Sequence, residues 1–127
     1  MKRFGLSKIE RIKSKNEFSR VYNSGKIVYS NSRKLKAIFC LGEDDSKEIK
    51  VAFGISKKAG NAVWRNRLRR LLREAYRFNK DILSNCSHSI LIVFSPNILN
   101  KKANPKLFLR DVEMDMINLL EKLRNNL

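Results

Sequence analysis

Residues 89–95 read SILIVFS, with Pro96-Asn97 immediately after. This run is too short for a long helix and has the composition of a strand, closed by a turn signal. An alternating strand can leave one face to water. This one has no polar face to offer, so it must lie centrally in a sheet and be covered on both sides. The rest of the chain has to supply neighbouring strands and helices to cover it.

Those elements can be read in order. Ser14-Lys15-Asn16-Glu17 has the form of a capping box, with Ser14 capping a helix and Glu17 reaching back. Phe18, Val21 and Tyr22 follow at helical spacing, and Gly25 is expected to stop the helix as a left-handed C-terminal residue. Leu6, Ile9 and Ile12 recur every three residues, as in a leader packed back on the body. LKAIFCL (35–41) and IKVAFGI (49–55) read as strands about a polar turn, GEDDSKE (42–48), and suggest an antiparallel hairpin. One extra strand fits near residues 26–30. Asn61 can cap a helix from about Ala62 to Phe78. Asn104-Pro105 is expected to open the last helix, with apolar stripe Phe108, Val112, Met116, Leu119, Leu120 and Leu123. The result is one α+β domain over residues 1–127, a small sandwich of helices on a mixed sheet, with residues 1–13 as a basic leader.

The Ala62–Phe78 segment carries the functional signal. Six arginines fall between Arg65 and Arg77, interleaved with apolar residues. At 100° per residue, Trp64, Leu68, Leu71, Leu72, Ala75 and Tyr76 share one sector, and the arginines fill most of the rest. An ordinary solvated face mixes charge signs at i, i+4. Here Arg65, Arg69, Arg73 and Arg77 stack at that spacing, and Glu74 is the only acid in the segment. The planar guanidinium fork suits bidentate contact with phosphate.

The whole chain agrees with this. It has 28 Lys+Arg against 12 Asp+Glu, a formal charge of +16. Residues 1–36 contribute +9 and residues 57–80 contribute +8, so two blocks hold the surplus. Crowded like charge opposes folding, and a polyanion relieves it. Binding to an anionic membrane surface would need an apolar helix face free for lipid, but that face is needed for the core. DNA reading by a recognition helix lacks a preceding partner helix. The opening MKRFGLSKIERIK has no continuous apolar stretch, which argues against a secretory signal, and no segment approaches the length of a membrane span. A cytoplasmic protein is expected, with Cys40 and Cys86 as small buried hydrophobes rather than a disulfide or metal site.

The segment Ser56-Lys57-Lys58-Ala59-Gly60-Asn61-Ala62-Val63-Trp64-Arg65-Asn66-Arg67-Leu68-Arg69-Arg70-Leu71-Leu72-Arg73-Glu74 resembles the RNR signature of the bacterial ribonuclease P protein subunit. The resemblance covers about residues 6–125 and includes the helix that opens Lys15-Asn16-Glu17-Phe18, and Gly25. It implies an α-β sandwich with a left-handed β-α-β crossover, similar to one domain of a small-subunit ribosomal protein. It implies a subunit that binds ribonuclease P RNA, one to one, and promotes hydrolytic removal of the 5′ leader from precursor tRNA. It implies that the chemistry belongs to the RNA and its Mg2+ ions, and no catalytic residue or metal site is expected in the protein. Carried to this chain, Lys57, Lys58, Arg65, Asn66, Arg67, Arg69, Arg70 and Arg73 would face the RNA subunit. Phe18 and Tyr22 match aromatic positions of a cleft that holds the single-stranded leader, and Arg20, Lys34 and Lys36 join them on grounds of charge. The family often has glycine at the position of Ala52. Trp64, at a variable position, is expected either to pack in the core or to cap the RNA face.

Two other features point away from protein catalysis. His88 follows Cys86 and Ser87 in a turn, a poor setting for an oriented Cys–His pair. Glu43, Asp44 and Asp45 cluster in the polar turn, where solvation is the default and loose Mg2+ contact the alternative. A non-catalytic RNA-binding protein, ribosomal or for assembly, remains the competing reading on charge and fold alone.

Overall fold

The computed structural model describes residues 11–12, 14–42, 48–84 and 88–127. Its elements are α1 (Lys15–Ser24), β1 (Lys26–Tyr29), β2 (Leu35–Leu41), β3 (Ile49–Phe53), α2 (Ala62–Asn79), β4 (Ile90–Pro96) and α3 (Arg110–Asn125). Short 3-10 turns at Lys57–Ala59 and Lys80–Leu83 flank α2.

The sheet order is β1-β2-β4-β3. The apolar run of β4 is central, antiparallel to β2 and parallel to β3, with Ile49 opposite Ile90 and Val51 opposite Ile92. This overturns the expected hairpin: β2 and β3 do not pair with each other but lie on either side of β4. The seven-residue, nearly all-buried β4 gains most from an interior place, while β3, with one fully buried residue, tolerates an edge. The parallel β3–β4 pair needs a crossover, and α2 supplies it. The short strand near residue 26 is β1, antiparallel to β2. Residues 43–47 of the polar turn lie outside the described residues, as does Cys86.

Alternation along the strands separates two cores. Leu35, Ala37, Phe39, Val51, Ile90, Ile92 and Phe94 face α2 and α3. Every apolar residue assigned to the inner sector of α2 is buried, Trp64 included. Phe94 anchors this layer, its ring centroid 5.9 Å from Phe53 and 5.6 Å from Tyr76. Burying one such side chain is worth roughly 1.5–3 kcal/mol. On the other face, Ile38, Leu91 and Val93 meet Ile12 and Val21, with Phe18, Cys40 and Ala52 packed against them. Ile12 thus docks the end of the leader, while Leu6 and Ile9 lie outside the described residues. Cys40 is half-buried and free, so it is less enclosed than expected.

Helix ends bring three further corrections. Ser14 Oγ accepts from the Asn16 and Glu17 N–H groups, but Glu17 pairs with Lys50 at 3.2 Å instead of completing the box. Gly25 is extended, not left-handed. Its glycine is needed for space, because a Cβ would press on the Val21 carbonyl oxygen and sit 2.7 Å from Ile38 Cγ2. The last helix begins at Arg110, not Pro105. The carbonyls that an earlier start would use are occupied: Asn104 O accepts from Trp64 Nε1 at 2.8 Å, and Leu107 O accepts from Arg67 Nε at 2.7 Å. The Phe108 N–H turns instead to the Asp111 carboxylate at 2.7 Å. Phe108 therefore leaves the apolar stripe and is 43% exposed.

Candidate nucleic-acid interface

The arginine face is built by the burial of the opposite face. Asn61 Oδ1 accepts the Trp64 N–H at 3.0 Å and fixes where α2 starts. The core then holds the helix in one rotation, so the arginines must point away from the sheet. Asn66, Arg67 and Arg70 are exposed, and Arg65, Arg69 and Arg73 are half-buried. Among the described residues, no carboxylate forms an ion pair with Arg65, Arg67, Arg69, Arg70 or Arg73.

These side chains are not equally free. Arg65 Nε donates to Gly60 O at 3.1 Å, and Arg67 Nε donates to Leu107 O at 2.7 Å. Both anchor backbone while leaving their terminal nitrogens for an anion. Arg69 Nη1 donates to Asn66 Oδ1 at 2.9 Å, an i, i+3 contact that orients both groups outward. Lys57 and Lys58, both exposed, sit in the 3-10 turn before α2, where Ser56 Oγ accepts the Lys58 N–H at 3.2 Å. The eight residues Lys57, Lys58, Arg65, Asn66, Arg67, Arg69, Arg70 and Arg73 thus lie on one turn and one helix. Trp64 belongs to the core, 3% exposed.

A second surface lies on the α1 side of the sheet. Tyr22 is 53% exposed, and its hydroxyl approaches Gly54, where a Cβ would fall 2.9 Å from it and 3.5 Å from Ser95 Oγ. Ser95 pairs with Lys36, and Lys36 with Tyr29, so Tyr22, Ser95, Lys36 and Tyr29 follow one another across this face. Arg33 lies 4.7 Å from the Tyr29 ring centroid and has φ 63°, an uncommon backbone for a non-glycine residue. Lys34, beside it, is half-buried. Phe18 is half-buried against Ile12, Val21 and Ile38, which makes it mainly a packing residue. At helical spacing the Arg20 position lies on the opposite side of α1 from Phe18 and Tyr22. Sequence reading missed Tyr29 and Arg33; strand pairing aligns Tyr29 with Lys36, and Arg33 joins through the Tyr29 ring.

Comparison with known proteins decides the family. A family model described as Ribonuclease P matches residues 6–123. The chain belongs to the ribonuclease P protein family. Relatives named ribonuclease P protein component include one from Clostridium novyi, 35% identical over 92% of this chain and 96% of that protein. Another, from Geotalea uraniireducens, is 30% identical over 97% and 98%. The RNase P protein from Thermotoga maritima has the same fold, with a TM-score of 0.71 at 23% identity over 89% of this chain and 96% of that one. The Staphylococcus aureus RNase P protein gives 0.66 at 24% over 92% and 97%. The ribonuclease P signature quoted from the sequence is the strip just described, from Ser56 to Glu74.

Among the described residues, no group of three or more His, Cys, Asp or Glu side chains could hold a metal ion. Glu43, Asp44 and Asp45 lie outside those residues. No described helix is long and apolar enough to cross a membrane.

Proposed function

We propose that this chain is the protein subunit of a ribonuclease P, which binds a catalytic RNA and promotes removal of the 5′ leader from precursor tRNA. The observation that carries the reading is the arginine face of α2, where Arg65, Arg67, Arg69, Arg70 and Arg73 form no ion pair with a described carboxylate, lying within the family match. Arg69, Arg70 and Arg73 neutralise RNA backbone phosphates, while Arg65 and Arg67 also brace the segments beside the helix. Lys57 and Lys58 extend the same contact. The Tyr22–Lys36–Tyr29 strip receives the single-stranded leader, its aromatics stacking bases and its cations meeting phosphates. Hydrolysis is assigned to Mg2+ ions held by the RNA, and no protein side chain is given a chemical step. One subunit per RNA and a cytoplasmic setting complete the proposal.

Arg70 and Arg73 are the cleanest test, because neither anchors backbone. Arg70→Ala with Arg73→Ala should weaken binding to the RNA subunit about tenfold or more, with the salt dependence reduced by nearly two phosphates. Unchanged affinity and slope in a titration of binding against KCl would remove α2 from the interface.

A further inference from the structure

The connection between β4 and α3, residues 97–109, has no part in the reading above. Three hydrogen bonds lay it along the arginine helix and the turn before it. The Lys101 N–H donates to Ala59 O at 2.7 Å, Trp64 Nε1 donates to Asn104 O, and Arg67 Nε donates to Leu107 O. Contact is close where it starts: a Cβ on Gly60 would fall 2.7 Å from Trp64 Cε3 and 3.0 Å from Lys101 Cβ. The connection is therefore fixed to α2, and its side chains share one surface with the arginines.

Two groups on it are suited to RNA. Exposed Lys101 and Lys102 stand with Lys58 around a shallow depression of about 560 Å³. Phe108, displaced from the core, has two guanidinium groups near its ring, with Arg110 Cζ 4.7 Å and Arg67 Cζ 5.9 Å from the centroid. The nearby Asp111 carboxylate accepts the Phe108 N–H and so fixes the backbone that presents the ring. An exposed aromatic ring flanked by cations is a stacking platform for an unpaired base, and paired lysines at a depression suit a backbone phosphate.

We infer that this connection is a second strip of RNA contact, in which Lys101 and Lys102 neutralise phosphates and Phe108, near Arg67 and Arg110, stacks an unpaired base. The inference rests on the ribonuclease P reading, and the target is the same RNA that α2 binds. A uniform duplex would serve the lysines but offer nothing to Phe108. The strip therefore selects RNA with an unpaired nucleotide beside the backbone held by α2.

The test uses the full chain and the ribonuclease P RNA of the same organism, with equilibrium binding followed against KCl concentration. Lys101→Ala with Lys102→Ala should lower the slope of log K against log salt by about 1.8, for two phosphates. Phe108→Ala should weaken binding about fivefold or more with the slope unchanged. Thermal melting should match the parent for both, since all three side chains are exposed. Parent-like affinity and slope in both variants, while Arg70→Ala with Arg73→Ala still binds weakly, would make the connection a solvated loop and overturn the inference alone. If the Arg70/Arg73 variant also binds like the parent, the RNA reading of α2 fails and takes this inference with it.

Discussion

Trp64 stands among arginines in the sequence but belongs to the core, and its single polar atom explains how. Its indole N–H reaches Asn104 O, so a bulky amphipathic side chain is buried with its donor satisfied. Trp64→Phe keeps much of the volume and abandons that carbonyl; it should lower stability by about 1–3 kcal/mol, read from urea unfolding. The two aromatics of α1 divide in another way. Tyr22 is exposed over Gly54, whereas Phe18 packs on Ile12 and Val21. Tyr22→Ala should weaken binding of precursor tRNA more than mature tRNA with little change in melting temperature. Phe18→Ala should destabilise the fold by roughly 1–3 kcal/mol, since its ring is only partly buried. Equal loss of both tRNAs on changing Tyr22 would remove it from the leader cleft. From sequence these two residues look alike, because helical spacing places both on one flank and only the sheet beneath distinguishes them.

The arginine helix was readable because its information is local. A period of 3.6 residues sorts leucines from arginines without reference to anything else in the chain, and Asn61 marks its start. The strand partners were not readable in this way. LKAIFCL and IKVAFGI carry no mark that says each pairs with SILIVFS rather than with the other; that depends on competition for the central place. The start of α3 was hidden for a similar reason, since the acceptors that hold it back are taken by Trp64 and Arg67, forty residues away. Within α2 the like charges have a measurable cost. Arg70→Gln with Arg73→Gln should raise stability slightly at low salt, by a few tenths of a kcal/mol, and the gain should shrink as salt screens the face. A clear fall in melting temperature at all salt concentrations would mean that these arginines hold the fold together instead.

Across the molecule, charge and apolar surface are kept apart. Among the described residues, the sheet and the inner faces of three helices form two cores, and the +8 of residues 57–80 lies outside them on α2 and its flanking turns. Such a charge distribution suits a polyanion that neutralises the surface. The family match says which family the chain belongs to, and the α2 face is the surface proposed to carry its role. The most direct measurement is reconstitution. The organism's ribonuclease P RNA is incubated at low Mg2+ with a precursor tRNA, with and without this protein, and release of the 5′ leader is followed. Strong stimulation by the protein, no cleavage by the protein alone and a marked loss of stimulation with the Arg70/Arg73 variant are the outcome expected of a ribonuclease P subunit. Cleavage by the RNA at the same rate with or without the protein would contradict that reading.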